Sequence, residues 1–170
     1  MQLMRKARLS DVNKIAEMAL ENSLSQLSEE EKKNNGFLVS GYTKEQYQQY
    51  IKDCEHFYVV EKEGELQGFL LGFLDTELNN SKVNQAYKKH AASSFVVIKQ
   101  ICVAKNAQKQ GVGKKLYRFF IDTVKQPIYL AVVMEPYNAG SVKFHEKLGF
   151  HLFAEITPED DMKRALFCKN

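Results

Sequence analysis

The segment that most constrains this chain is residues 95–120, FVVIKQICVAKNAQKQGVGKKLYRFF. Its first part is apolar and β-branched, the pattern of a largely buried strand. Its last part, with Leu116, Phe119 and Phe120, continued by Thr123 just beyond, at helical spacing, offers a stripe that faces a sheet. Between them stand Gly111 and Gly113, two of only nine glycines in the chain. A strand that turns through a short glycine loop into a helix aims unpaired backbone N–H groups and the positive end of the helix dipole at one point. Glycine there permits positive φ and keeps a Cβ from standing between the backbone and an anion. The expected ligand is a phosphate or pyrophosphate.

Charge supports that reading once it is localised. The net charge is +3, yet residues 99–126 hold Lys99, Lys105, Lys109, Lys114, Lys115, Arg118 and Lys125 against Asp122 alone, so this segment carries +6 and the remainder −3. Basic residues gathered around a glycine pair suit a compact anion better than a nucleic acid, which favours charge spread over a face with interleaved aromatics. A solvated helix face accounts for the charges equally well when they are taken alone.

The remaining chain reads as one alternation of strands and helices. LMRKARL suggests a strand, and SDVNKIAEMALEN a helix capped by Ser10 or Asp11. Residues 24–52 suggest two short polar surface helices, the second starting at Thr43. HFYVVEKEGELQGFLLGFLD reads as a hairpin turning at 63–65. The polar stretch 76–94 is too long for a hairpin turn and is expected to hold one helical turn around QAYKKHAA. PIYLAVVM, with Ile128, Leu130, Val132 and Met134 on one face, is a strand; NAGSVKFHEKLGF is a helix stopped by Gly149, and FHLFAEIT and MKRALFCK are closing strands. The expected fold is α/β, a mixed, mostly antiparallel twisted sheet of about six or seven strands flanked by helices on both faces. A length of 170 residues with 44% hydrophobic residues fits a single domain over 1–170.

No stretch approaches the roughly 18 apolar residues of a membrane span, and the start lacks an apolar leader core, so a soluble, cytoplasmic protein is expected. Cys54, Cys102 and Cys168 lack paired spacing and the four histidines lack ligand spacing, so no metal or disulfide framework is implied.

Two phosphate-binding patterns do not fit. A dinucleotide fingerprint needs glycine at Leu116, and a P-loop needs glycine at Gln108 and Ser or Thr at Lys115. What stands is Q-x-x-G-x-G at Gln108, Gly111 and Gly113. This resembles the signature of the Gcn5-related N-acetyltransferase (GNAT) family. The surroundings agree: ICVAKNAQKQGVGKKL keeps an apolar-x-Val strand end five residues before the Gln, NAGSVKFHEKLGF is similar to the second cofactor helix, and MRKARLSDVNKI to the first strand and helix. The resemblance covers residues 95–150 best. Ala104 and Lys105 replace the usual polar-Pro pair, and His145 stands where many members have Tyr.

The resemblance implies a GNAT fold that binds acetyl-coenzyme A and transfers its acetyl group directly to a primary amine. It implies that Gln108, Lys109, Gln110, Gly111, Val112, Gly113 and Lys114 cradle the pyrophosphate, that Ile101, Cys102 and Val103 pair with the pantetheine arm, and that the Val103 N–H is an oxyanion donor. It implies further that Asn138 contacts the cofactor, and that His145, as in a phosphinothricin-acetyltransferase-like branch, contacts it too and is the candidate general acid, set against a surface histidine; Tyr137 and Tyr117 come next. Where members carry a strand carboxylate as base, this chain has Lys99 and Gln100, leaving Glu135, a water chain or solvent. Cys102 reads as a buried thiol rather than a nucleophile.

A small-molecule acceptor is favoured over a protein N-terminus. The alternative is a non-catalytic acyl-coenzyme A sensor or structural module. No nucleic-acid or membrane partner is expected. The apolar strand RALFCK suggests an edge through which a homodimer forms.

Overall fold

The computed structural model describes residues 1–34, 37–134 and 139–170. Among the described residues are seven strands, in the sheet order β1-β2-β3-β4-β5-β7-β6, and six α-helices. The strands are β1 Gln2–Lys6, β2 His56–Lys62, β3 Glu65–Leu74, β4 Val96–Val103, β5 Ile128–Val133, β6 His151–Ile156 and β7 Arg164–Lys169. The helices are α1 Val12–Glu21, α2 Glu29–Asn34, α3 Lys44–Asp53, α4 Lys82–His90, α5 Val112–Thr123 and α6 Ala139–Lys147. Four of the five pairings with a defined register are antiparallel, and β4 with β5 is parallel. This is the mixed, mostly antiparallel sheet that the sequence implies.

Contacts divide the chain into two compact units, the first comprising residues 1–28, 37–72 and 99–125. In it β1 pairs with β2, and β2 with β3 through a tight turn at Glu63 and Gly64, both with φ positive. The expected cap of α1 differs in detail. A 3-10 turn, Leu9–Asp11, precedes α1, and the Asp11 carboxylate accepts the Arg8 N–H at 2.8 Å and the Arg5 guanidinium at 2.8 Å. Arg5 also meets Glu61. Helix α3 starts at Thr43 as expected, with a capping box to Gln46, but it is more than a surface helix: Tyr47 is fully buried against Phe57 and Phe69. Helix α5 buries Val112, Leu116, Tyr117 and Phe120, whereas Thr123 at the end of the expected stripe is exposed. Gly68 and Gly72 of β3 make this packing possible. A Cβ on Gly68 would lie 2.7 Å from the Cys102 carbonyl and 3.2 Å from Val112, and one on Gly72 would lie 3.0 Å from Phe120.

The second unit comprises residues 29–36, 73–98 and 126–170. Strand β4 meets β5 at Val96 with Ile128 and Val97 with Tyr129, β5 pairs with β7, and β7 with β6. RALFCK is therefore an interior strand, and the edge beside it is β6. The apolar pattern of β7 is explained by burial between two neighbours, so it gives no ground for dimerisation through that strand. Tyr87, Phe95, Val97, Tyr129, Leu166 and Cys168 form a core. The connection 76–94 holds more than one helical turn: α4 runs nine residues, capped by the Ser81 hydroxyl accepting the Asn84 N–H at 3.2 Å. Gly149, with φ of 94°, follows α6 as expected.

Candidate functional site

The glycine loop lies wholly in the first unit. Beyond β4, the Ala104 N–H donates to the Gln67 carbonyl at 2.9 Å, which keeps the chain on β3 as it leaves the ladder. A 3-10 turn, Lys105–Ala107, follows, anchored by Ala107, which is fully buried. Lys109 then adopts φ of 63° and Gly111 φ of 80°. Gly111 is the N-cap of α5, and the first intrahelical bond is the Lys115 N–H to the Gly111 carbonyl at 3.1 Å. The first-turn N–H groups at Val112, Gly113 and Lys114 thus have no acceptor within the helix.

The space above these amides is open. A Cβ on Gly111 would meet nothing within 4 Å, and one on Gly113 would meet only Val103 Cγ2, at 3.7 Å. Gly111 is needed for its left-handed backbone and Gly113 is not, since its surroundings would admit an alanine. Lys109, a non-glycine residue held at positive φ, is the kind of local strain that collects at binding loops. The Lys109 and Lys114 side chains are exposed on this loop, while Lys115 reaches Gln2 at the end of β1. Open space above backbone donors at a helix N-terminus, with two exposed ammonium groups on the same segment, suits a compact anion such as a pyrophosphate.

Other expected residues take defined places. Val112 is buried, Gln110 donates to the Asn106 carbonyl, and Ile101 and Val103 are half-buried at the strand end. Cys102 is buried, donates its thiol to the Met18 carbonyl at 3.4 Å, and is pushed up by burial to about 12, so it stays a neutral thiol. Gln108 turns its side chain inward, onto Asn22 and the Val103 carbonyl. Gln100, where a base is expected in the family, is a buried amide bonded to the Tyr47 hydroxyl at 2.9 Å and to the Ser40 carbonyl at 3.3 Å. Burial pushes the Tyr47 phenol to about 12.

His145 belongs to the second unit, and it is not a surface histidine. It is 6% exposed, stacks on Phe167 and meets Phe150 edge-on. Its Nδ1–H donates to the Ser141 carbonyl at 2.7 Å, and burial holds its pKa below the ordinary value. Tyr117 is buried in α5 and its phenol is pushed up by burial. Asn138, Tyr137 and Glu135 lie outside the described residues.

Sequence reading missed Gly68, Asn22 and Tyr47. A glycine inside an apolar strand does signal close backbone approach and could have indicated Gly68; an asparagine after a helix and a tyrosine within a polar one carry no comparable signal.

A strand, a left-handed glycine cap and a helix N-terminus on a mixed sheet define an α/β fold with an anion-binding helix start. Residues 21–150 match the family model described as the acetyltransferase (GNAT) family, and the chain belongs to that family. Solved structures share the fold. The chain is similar to Ard1 from Thermoplasma volcanium at 18% identity, covering 99% of this chain and 96% of that one, with a TM-score of 0.69. An N-acetyltransferase from Staphylococcus aureus Mu50 is 15% identical over 100% and 98%, with a TM-score of 0.70. YncA from Salmonella typhimurium, solved with its cofactor acetyl-coenzyme A, is 16% identical over 99% and 92%, with a TM-score of 0.68. No curated protein matches the chain. Among the described residues no helix is long and apolar enough to cross a membrane, and no metal-binding cluster of His, Cys, Asp or Glu occurs.

Proposed function

We propose that this chain is an N-acetyltransferase that uses acetyl-coenzyme A as donor and a primary amine as acceptor. The observation that carries the reading is the Gly111 cap: a left-handed glycine opening α5 beneath space that a Cβ would enter. The backbone N–H groups of Gly111 to Lys114 hold the pyrophosphate, with Lys109 and Lys114 adding charge. Asn138 contacts the cofactor, as the family resemblance implies. Acetyl-coenzyme A supplies an acyl group activated as a thioester.

The backbone of Ile101 to Val103 aligns the pantetheine arm, and the Val103 N–H donates to the acyl oxygen. Transfer is direct, because the protonated, hydrogen-bonded Cys102 is a poor nucleophile. Gln100 cannot take a proton from the amine, so deprotonation falls to Glu135, a water chain or solvent. His145 is neutral at neutral pH with its proton on Nδ1 engaged by Ser141, a state with no proton for a thiolate. We assign it to packing and propose Tyr137 as the acid.

With His145 in the core, the preference for a small-molecule acceptor loses its main ground; small amines and peptide N-termini both belong in the test. Release of free thiol from acetyl-coenzyme A is measured with a panel of primary amines and peptides, and the acetylated product is identified by mass. Turnover with at least one class is expected. A folded protein that binds the donor and turns over no amine in either class would contradict an enzymatic role.

A further inference from the structure

We infer that Asn22 is a positioning residue of the cofactor loop, and that Gln108 is an internal strut tied to it rather than a ligand of the phosphate. The inference rests on the acetyl-coenzyme A reading above and concerns how this chain builds that site.

Asn22 ends α1 and is 4% exposed. Its Nδ2 donates to the Met18 carbonyl at 2.8 Å and to the Val103 carbonyl at 3.3 Å. Both partners can only accept, so the amide group must face them and Oδ1 must face the other way. Oδ1 accepts the Gln108 Nε2 at 3.0 Å, and the same Nε2 reaches the Val103 carbonyl at 3.4 Å. The side-chain donor that a phosphate would recruit from Gln108 is thereby spent inside the protein.

The effect falls on the peptide plane between Val103 and Ala104. Its carbonyl is held by Asn22 and Gln108, and its N–H by the Gln67 carbonyl at 2.9 Å. Cys102, one residue back, is tied by its thiol to Met18, the residue that Asn22 also grips. The end of β4 is therefore fixed on both sides of Val103, and the loop leaves it in one direction. The Asn22 carbonyl also accepts the Leu38 N–H at 3.0 Å, joining the 37–42 segment to the same node. A buried amide satisfied in this way loses its geometry when either partner is changed.

The test is a double-mutant cycle read by calorimetric titration of acetyl-coenzyme A, with thermal unfolding followed in parallel. Asn22→Asp keeps shape but places an acceptor against two carbonyls; Gln108→Ala removes the strut. Each is expected to weaken binding about tenfold, and the double variant to be no weaker than the worse single one. Wild-type affinity in Asn22→Asp, or a double variant weakened by the product of the two effects, about a hundredfold, would overturn the inference. If Asn22→Asp does not fold, Asn22→Ser, which retains one donor, replaces it in the cycle. Absence of binding by the folded wild-type protein would instead overturn the cofactor reading, and the inference with it.

Discussion

The Tyr47 hydroxyl donates to Gln100 Oε1 at 2.9 Å, and both side chains are buried, on α3 and β4. The same hydroxyl accepts the Tyr42 N–H at 3.2 Å, while Gln100 Nε2 reaches the Ser40 carbonyl. An amide at position 100 is thus a structural partner of α3 and of the segment before it. A carboxylate there would face the Ser40 carbonyl without a donor to offer it. Tyr47→Phe leaves the Gln100 oxygen and the Tyr42 N–H without this partner and is expected to cost about 1–3 kcal/mol. Urea unfolding measures that loss.

The two loop glycines should separate in their effects. Gly111→Ala places a side chain at φ of 80° and is expected to cost about 1–2 kcal/mol as well as weakening acetyl-coenzyme A binding. Gly113→Ala meets only Val103 at 3.7 Å in the free protein, so stability should be kept while binding falls. Thermal unfolding with and without the ligand distinguishes them; equal stabilisation of wild type and Gly113→Ala by acetyl-coenzyme A would contradict a ligand above that residue.

Gly68→Ala should destabilise more than either, although its backbone is unstrained. The new Cβ would stand 2.7 Å from the Cys102 carbonyl and against Val112 and Leu116, forcing β3, β4 and the start of α5 apart. Overpacking of this kind costs about 1–3 kcal/mol, read as a lowered denaturation midpoint.

Acidification should weaken the protein through His145. Its pKa is lowered in the folded state by burial, against an ordinary value of 6.5. The unfolded chain therefore takes up the proton first, so the contribution is present above pH 6.5 and is lost as pH falls toward the folded value. Wild type should lose more stability than His145→Phe between pH 7.5 and 5.5; equal losses would assign the acid sensitivity to other groups.

The cysteines should react in order of burial. Cys102 and Cys168 are buried and Cys54 is half-buried, and burial raises the first two. An aromatic disulfide reagent on the native protein should modify Cys54 first, with mass mapping to locate it, and reach Cys102 only after unfolding. Fast labelling of Cys102 would reopen a covalent route.

Features that depend on local chemistry were legible in the sequence: the strand into the glycine loop, the Thr43 cap, the turn at Glu63 and Gly64, and the Gly149 stop. Those that depend on partners distant along the chain were not. RALFCK shows an apolar strand, but its place between β5 and β6 is decided by pairing, which leaves no mark on its composition. Helix α4 is longer than the sequence suggests because, of its apolar residues, only Tyr87 is fully buried, with Val83 and Ala86 partly so, a face too weak to register as a stripe. Gln108 matched the family pattern by residue type, yet the direction of its side chain is set by Asn22, 86 residues away in the sequence. His145 matched a family position, and only the ring of phenylalanines around it shows that it is buried.

Whether the Gly111 cap holds acetyl-coenzyme A decides the function proposed for this chain. Calorimetric titration of acetyl-coenzyme A into the wild-type protein and Gly111→Ala, both checked for folding, tests it most directly. One-to-one binding by wild type, weakened about tenfold or more in the variant, is the predicted result. Equal affinity in the two proteins, or none in wild type, would contradict it.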